Sequence, residues 1–109
     1  MKCVVTGGGG FLGKALCRRL SAEGHTVVSI SRGRYPQLEQ AGIACYHADI
    51  SKDLSAYTEA FRGAEVVFHT AAKVEMWGRY PEFFNVNVVG TRNIIDACRR
   101  FGVPYLVYT

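Results

Sequence analysis

Apolar residues recur along this chain in two patterns, short continuous runs and longer stretches with helical spacing. The first run, residues 3–5, precedes four consecutive glycines and is typical of a buried strand. The segment after the glycines predicts a helix, because its apolar residues recur at helical spacing: Leu12, Ala15, Leu16 and Leu20. A second strand is predicted at residues 26–30. Strand, glycine turn, helix and strand fit within about 30 residues, the length of a βαβ unit.

The same alternation continues along the rest of the chain. It predicts helices at residues 36–41, 54–61 and 82–101, and strands at residues 43–47, 65–69 and 105–108. The predicted helices stop at glycines, namely Gly24, Gly42, Gly63 and Gly102. Strands that alternate with helices predict an α/β fold with a parallel sheet and right-handed crossovers. We expect five strands in the order 3-2-1-4-5, with helices on both faces.

The last predicted strand, Tyr105–Tyr108, is apolar on both faces. We therefore expect helices on both sides of it. A strand of this kind at an open edge is an aggregation hazard, and a complete protein normally covers it. We expect residues 1–109 to be the N-terminal domain of a longer protein.

Composition narrows the class of protein. The 109 residues are 49% hydrophobic and 20% charged, which is ordinary for one globular α/β domain. No apolar run approaches the roughly 20 residues that span a bilayer, and we expect no signal peptide before the first strand. The net charge of +4 comes from scattered basic residues, so we expect no nucleic-acid partner.

The cysteines indicate packing rather than chemistry. None of them forms a C-x-x-C pair, and all lie in predicted strands or helices: Cys3, Cys17, Cys45 and Cys98. Small core residues in a reducing cytoplasm are the simplest interpretation. Because the spacing does not suit zinc, we expect no metal site.

The glycine run T-G-G-G-G-F-L-G carries the candidate chemistry. Its spacing is T-G-x-x-G-x-x-G, formed by Gly7, Gly10 and Gly13. A helix N-terminus has unpaired N–H groups and a partial positive charge, so it suits a pyrophosphate. Gly7 would permit the tight turn, Gly10 would let a phosphate reach the backbone, and Gly13 would let the helix pack closely. This pattern predicts a dinucleotide-binding, Rossmann-type domain; the alternative is a structural turn without a ligand.

Further motifs resemble those of the extended short-chain dehydrogenase/reductase family. They are A-D-I-S after the third strand, F-H-T-A-A-K at the fourth strand and N-V-V-G-T-R-N-I-I-D-A-C in the long helix. Within that family the chain is similar to the branch of 3β-hydroxysteroid dehydrogenases and dihydroflavonol reductases. It resembles bacterial 2-alkyl-3-oxoalkanoate reductases chiefly through G-G-G-G-F-L-G, S-R-G-R-Y-P and A-A-K-V-E-M-W-G. The resemblance implies an NAD(P)-dependent oxidoreductase that acts on a hydroxy/keto substrate, and a full-length protein that is a homodimer.

The resemblance also implies which residues surround the cofactor. The backbone of Phe11 and Leu12 lies beside the pyrophosphate turn. Asp49 holds the adenine by hydrogen bonding and Ile50 by apolar contact. Asp49 is alternatively a helix cap or turn residue, since aspartate is favoured there in any case.

Later residues match the family pattern less specifically. Ala71 and Ala72 match small residues that let the cofactor ribose lie against the fourth strand, or they simply pack tightly. Lys73 reaches a phosphate or ribose, or is an exposed loop lysine. Asn87 matches the helix asparagine that supports the catalytic proton relay. Thr91, one turn later, is expected to pack.

The end of the second strand indicates the choice of cofactor. An NAD-specific site has an acidic residue there, which accepts hydrogen bonds from the ribose hydroxyls. Here Ser31 and Arg32 follow the strand, with Arg34 nearby, and a guanidinium matches phosphate well. We therefore expect NADP, with NAD as the alternative.

Two observations concern the reaction itself. The family's acid/base pair is a tyrosine with a lysine four residues later, plus a serine, and no tyrosine here has that lysine. The 109 residues are therefore expected to be inactive alone. Met76 and Trp77 lie in the loop after the fourth strand and are expected to line an apolar substrate site, or to cover the core.

Two alternatives to an oxidoreductase stay open. One is a sugar-nucleotide epimerase or dehydratase, and the other is a non-catalytic dinucleotide sensor.

Overall fold

The computed structural model describes residues 1–52, 58–70 and 88–108. The strands in these ranges are β1 (Lys2–Thr6), β2 (Thr26–Ser31), β3 (Ala44–His47), β4 (Val66–His69) and β5 (Tyr105–Tyr108). The helices are α1 (Phe11–Ala22), α2 (Pro36–Gln40) and α3 (Gly90–Phe101), with a 3₁₀ turn at Thr58–Phe61. The five strands form one parallel sheet in the order β3-β2-β1-β4-β5, which confirms the predicted topology.

The sheet separates two apolar clusters because successive side chains of a strand point to opposite faces. On one face, Val4, Val28 and Val67 pack with Phe61 and with Ile94 of α3. On the other face, the cluster contains residues of β1, β2, α1 and α2: Cys3, Val5, Val27, Cys17, Leu20 and Leu38. Helices therefore cover both faces of the central strands, as the sequence predicts.

Some element boundaries differ from the prediction. β2 extends one residue further, to Ser31, and β3 and β4 each begin one residue later than expected. Within the described part of the predicted 54–61 helix, the chain forms only the 3₁₀ turn. The described part of the predicted 82–101 helix contains α3, which begins at Gly90 and ends at Phe101 and is followed by Gly102, whose φ of 66° is left-handed. Such a glycine is a common helix end.

β5 is the edge strand of the sheet, and the described residues leave it uncovered, so the helices expected on both of its sides stay a prediction. All four of its side chains are exposed, from 36% for Leu106 to 69% for Tyr105. The apolar face of α3 packs instead over the central strands, where Ile94 shares a cluster with Val4 and Val67.

Among the described helices, none has the length and apolar character that crossing a membrane requires.

Candidate functional site

The turn that joins β1 to α1 lies at the carboxyl end of the sheet, where open α/β sheets bind ligands. Gly7 has a φ of 73°, a left-handed conformation that side chains with a Cβ rarely adopt. Its N–H donates to the Ile30 carbonyl at 2.8 Å, so the turn is fixed to β2. Its carbonyl accepts from Gly10 N–H at 3.0 Å, which brings the chain back to the start of α1.

Gly13 packs α1 against this turn. A Cβ at Gly13 would lie 2.0 Å from the Gly7 carbonyl oxygen and 3.0 Å from the Gly8 Cα. Real atoms do not approach so closely, and the obstacle is backbone, which cannot move aside. Glycine at position 13 is therefore required by the fold itself.

Gly10 differs from its neighbours. Its φ of −75° suits any residue, and of the described residues a Cβ there would meet only the Gly7 oxygen, at an ordinary 3.4 Å. Gly10 directly precedes the first turn of α1, where the first helical N–H groups lack an intrahelical acceptor. This turn contains no acidic side chain. Its shape and its donors thus fit a pyrophosphate group.

Gly8 and Gly9 lie close to side chains that the spacing of the glycines does not predict. A Cβ at Gly8 would lie 2.1 Å from Ser29 Oγ, and one at Gly9 would lie 1.9 Å from a ring carbon of Tyr35. Ser29 is 1% exposed, and its hydroxyl has no hydrogen-bond partner among the described residues. The run of four glycines indicates that this turn is crowded. It does not indicate which side chains crowd it, because these come from β2 and from the segment after it.

The segment after β2 is held near the end of β3. Ser31 Oγ donates to the Gly33 carbonyl at 3.2 Å, and His47 Nδ1 donates to the same oxygen at 3.0 Å. Arg34 lies 3.6 Å from Glu39 in an exposed pair. Arg32 is exposed and has no carboxylate within 4.0 Å among the described residues.

Asp49 forms a turn at the end of β3. Its Oδ1 accepts from Ser51 N–H at 2.9 Å and from Ser51 Oγ at 2.7 Å. Partial burial acts to raise the pKa of Asp49, but these hydrogen bonds and the charges of Arg32 and Lys52 outweigh it, so the pKa falls below its ordinary value. The carboxylate is therefore ionised at neutral pH.

Ile50 follows Asp49 and is only 4% exposed, in the cluster beneath α3. Its carbonyl accepts from Asn93 Nδ2 at 2.7 Å, and the same amide donates to the Lys52 carbonyl at 3.1 Å. Sequence reasoning missed Asn93, because its partners lie more than 40 residues away. The amide ties α3 to the turn that presents Asp49.

A buried histidine connects three elements below the same edge of the sheet. His69 Nδ1 lies 2.7 Å from Thr6 Oγ1, and His69 Nε2 lies 2.8 Å from Thr91 Oγ1. Burial lowers the pKa of His69, so its ring is neutral at neutral pH. Thr91 thus makes a hydrogen bond, where the sequence predicted packing only.

Several expected site residues lie outside the described residues: Ala71, Ala72, Lys73, Met76, Trp77 and Asn87. The described part of β4 ends at His69, two residues before Ala71.

The cysteines are free, and Cys3, Cys17 and Cys98 are buried. Burial, with a smaller effect of Cys45, raises the pKa of Cys17 to about 11, so its thiol is inert at neutral pH. Within residues 1–52, 58–70 and 88–108 no three histidine, cysteine or acidic side chains are grouped as a metal site requires.

Comparisons with known proteins agree with this geometry. Residues 4–109 match the model of the 3-beta hydroxysteroid dehydrogenase/isomerase family. The 2-alkyl-3-oxoalkanoate reductase of Stenotrophomonas maltophilia is 47% identical over 109 residues, which cover 100% of this chain and 33% of that protein. The enzyme of the same name from Shewanella oneidensis is 43% identical over 105 residues, 96% of this chain and 27% of that protein.

A solved structure extends the likeness to the fold. UDP-glucose-4-epimerase from Stenotrophomonas maltophila, with bound NAD and formylated UDP-arabinopyranose, matches with a TM-score of 0.86 and 25% identity. The match covers 99% of this chain and 36% of that one. The chain thus spans about a third of the length of the proteins it matches. With its glycine turn, parallel sheet and family match, the chain belongs to the 3-beta hydroxysteroid dehydrogenase/isomerase family, within the extended short-chain dehydrogenases/reductases.

Proposed function

We propose that this chain is the NAD(P)-binding part of an oxidoreductase that transfers hydride between a nicotinamide cofactor and a hydroxy/keto substrate. The observation that carries the proposal is Gly10, because neither its φ nor any neighbouring atom of the described residues requires glycine there. A pyrophosphate at the start of α1 provides the missing reason, since it needs the space that a side chain would fill. The backbone N–H groups of Phe11 and Leu12 would donate to its oxygens.

When bound, the nicotinamide ring supplies the hydride chemistry. The chain's own residues bind and orient the cofactor. Gly7, Gly10 and Gly13 shape the pyrophosphate turn, and Asn87 supports a proton relay whose tyrosine and lysine this sequence does not contain in the expected spacing.

The remaining cofactor contacts are proposed on the adenosine and ribose sides. Asp49 has one oxygen engaged by Ser51, and no described residue hydrogen-bonds Oδ2, which would accept from the adenine. Ile50 would contribute the small exposed part of its side chain. Ala71 and Ala72 would let the ribose lie against the end of β4, and Lys73 would reach a phosphate or ribose.

We also propose a preference for NADP over NAD. Arg32 has no carboxylate within 4.0 Å among the described residues, and its charge already acts on Asp49. Ser31 stands where an NAD site has an acidic residue, and its hydroxyl would turn from the Gly33 carbonyl to a phosphate oxygen. Charge-assisted hydrogen bonds support a preference of roughly 10- to 100-fold, reduced where solvent screens the guanidinium.

Two variants test this preference in the protein at its full natural length. Ser31→Asp and Arg32→Ala should each weaken NADPH binding, while exposed Arg99→Ala should not. Titration at two salt concentrations should show the wild-type preference shrinking as salt rises. A wild type that prefers NADH, together with an unchanged NADPH affinity in Arg32→Ala, would contradict the assignment.

The substrate is proposed from the relatives and from Met76 and Trp77, two large apolar residues in the segment that the sequence predicts to be a loop after β4. An acyl-chain ketone such as a 2-alkyl-3-oxoalkanoate fits this loop better than a sugar nucleotide. The full-length protein should oxidise NADPH when given a 2-alkyl-3-oxoalkanoate, and should not interconvert UDP-glucose and UDP-galactose. The opposite result would favour the epimerase, and cofactor binding without either reaction would favour a sensor.

Two further proposals concern the whole protein. We place it in the reducing cytoplasm because its four cysteines are free. We expect a homodimer by likeness to the family, which light scattering coupled to gel filtration would test.

A further inference from the structure

The segment between β2 and α2 folds back onto the glycine turn through the ring of Tyr35. The same edge of this half-buried ring fills the space beside two glycines, so that a Cβ would lie 1.9 Å from it at Gly9 and 2.7 Å from its hydroxyl oxygen at Gly33. The ring also packs against the apolar cluster that contains Cys17 and Leu38. Tyr35 therefore has a fixed position between the glycine turn and the end of β2.

Lys14 lies over this ring. Its Nζ is 5.8 Å from the ring centroid, within the range of a cation–π contact. Lys14 belongs to the first turn of α1, where the helix dipole disfavours a cation and where no acidic side chain offsets it. A bound anion would offset that unfavourable charge.

Two basic residues near Lys14 already have polar partners. Arg18 donates to the Gln37 side chain at 3.3 Å, and Arg34 lies 3.6 Å from Glu39. Among the described residues, none of Lys14, Arg18 and Arg32 has a carboxylate within 4.0 Å, but Arg18 differs because it is hydrogen-bonded to Gln37. Lys14 lies over Tyr35, and Arg32 precedes Tyr35 by three residues in the same segment.

We propose that Tyr35 and Lys14 form a wall of the adenosine pocket, in which Lys14 is a second cation for a phosphate on the adenosine ribose. The proposal rests on the proposed function, because it assumes that a dinucleotide lies on the glycine turn. The Tyr35 ring offers an apolar surface to the adenosine and keeps the Lys14 ammonium group beside it. The ammonium group, a compact point charge, attracts a phosphate without requiring one orientation.

Adenosine 2′,5′-bisphosphate and 5′-AMP are suitable probes, because they differ only in the ribose phosphate. With the protein at its full natural length, Lys14→Gln should weaken bisphosphate binding about three- to tenfold, and 5′-AMP binding less than about twofold. Arg18→Gln removes the same charge one turn further along α1 and should change neither. Calorimetry gives the dissociation constants.

Tyr35 is tested by a matched pair of variants. Tyr35→Ala should weaken binding of both probes by about tenfold, as the loss of an aromatic wall does for bases. Tyr35→Phe keeps the ring and should bind both within about twofold of wild type. Thermal unfolding of each variant shows whether the fold is kept, and Lys14→Gln provides the test if Tyr35→Ala does not fold.

Two results would overturn the proposal while leaving the cofactor assignment intact. One is NADP(H) binding by wild type together with equal effects of Lys14→Gln and Arg18→Gln on the bisphosphate. The other is unchanged binding of both probes by a folded Tyr35→Ala variant. Absence of any dinucleotide binding by wild type would instead refute the proposed function, and this inference with it.

Discussion

At the scale of single residues, the glycines of the turn are glycines for different reasons. Gly7 has a left-handed backbone, and Gly13 meets the Gly7 carbonyl oxygen. Gly8 and Gly9 meet the side chains of Ser29 and Tyr35. Only Gly10 has no such requirement among the described residues, which is why the proposed pyrophosphate site rests on it.

This difference predicts unequal effects of substitution at Gly13 and Gly10 on the free energy of unfolding. Gly13→Ala should lower the free energy of unfolding by about 1–3 kcal/mol, because overpacking against a backbone oxygen forces the helix away from the turn. Gly10→Ala should change it by less than about 1 kcal/mol, since the added methyl group makes an ordinary contact. Urea denaturation of both variants measures this. Equal losses would show that the turn is crowded at both positions.

At the scale of secondary-structure elements, hydrogen bonds between distant residues hold the carboxyl edge of the sheet together. Asn93 of α3 donates to two backbone carbonyls, those of Ile50 and Lys52. Asn93→Ala should therefore cost about 1–3 kcal/mol, because it leaves the partly buried carbonyl of Ile50 without its donor. Asn93→Asp is a stricter control, since it keeps the size and replaces the donor by an acceptor. Stability of either variant equal to wild type would contradict this role.

His69 of β4, whose ring contacts threonines of β1 and α3, is expected to make the stability of the fold depend on pH. Because burial lowers the pKa of His69, the unfolded chain takes up a proton at higher pH than the folded chain does. The stability gained from a neutral ring is therefore complete above the ordinary pKa of about 6.5 and is lost as pH falls below it, towards the lowered value.

His69→Gln should accordingly be less stable than wild type at about pH 7.5, through loss of the two threonine contacts, but its stability should fall less steeply towards about pH 5.5. Chemical denaturation across this pH range gives the slopes. A wild-type slope in His69→Gln would show that other groups cause the pH dependence.

At the scale of the whole molecule, the sequence predicted the strand order and the position of the glycine turn. Both depend on local patterns, namely apolar runs, helical spacing and glycines, which propagate along a βαβ topology. The short 3₁₀ turn at Thr58–Phe61 was not predicted, because it depends on what packs against the segment.

The candidate site was predictable only in part for the same reason. The spacing of Gly7, Gly10 and Gly13 is visible in the sequence, whereas the contact of Tyr35 with Gly9 joins segments that periodicity cannot relate. Thr6 and His69 are 63 residues apart, and no motif indicates their hydrogen bond. The roles expected for Ala71, Ala72, Lys73 and Asn87 stay predictions.

The central claim, that a dinucleotide pyrophosphate lies against Gly10, is tested most directly by calorimetric titration of Gly10→Val with NADPH and NADH. The protein at its full natural length should bind at least one cofactor, and the variant should bind neither, because a branched side chain occupies the phosphate position. Circular dichroism should show that the variant keeps its fold, since among the described residues a Cβ at Gly10 meets only the Gly7 oxygen, at 3.4 Å. Wild-type affinity in a folded Gly10→Val protein would contradict the account.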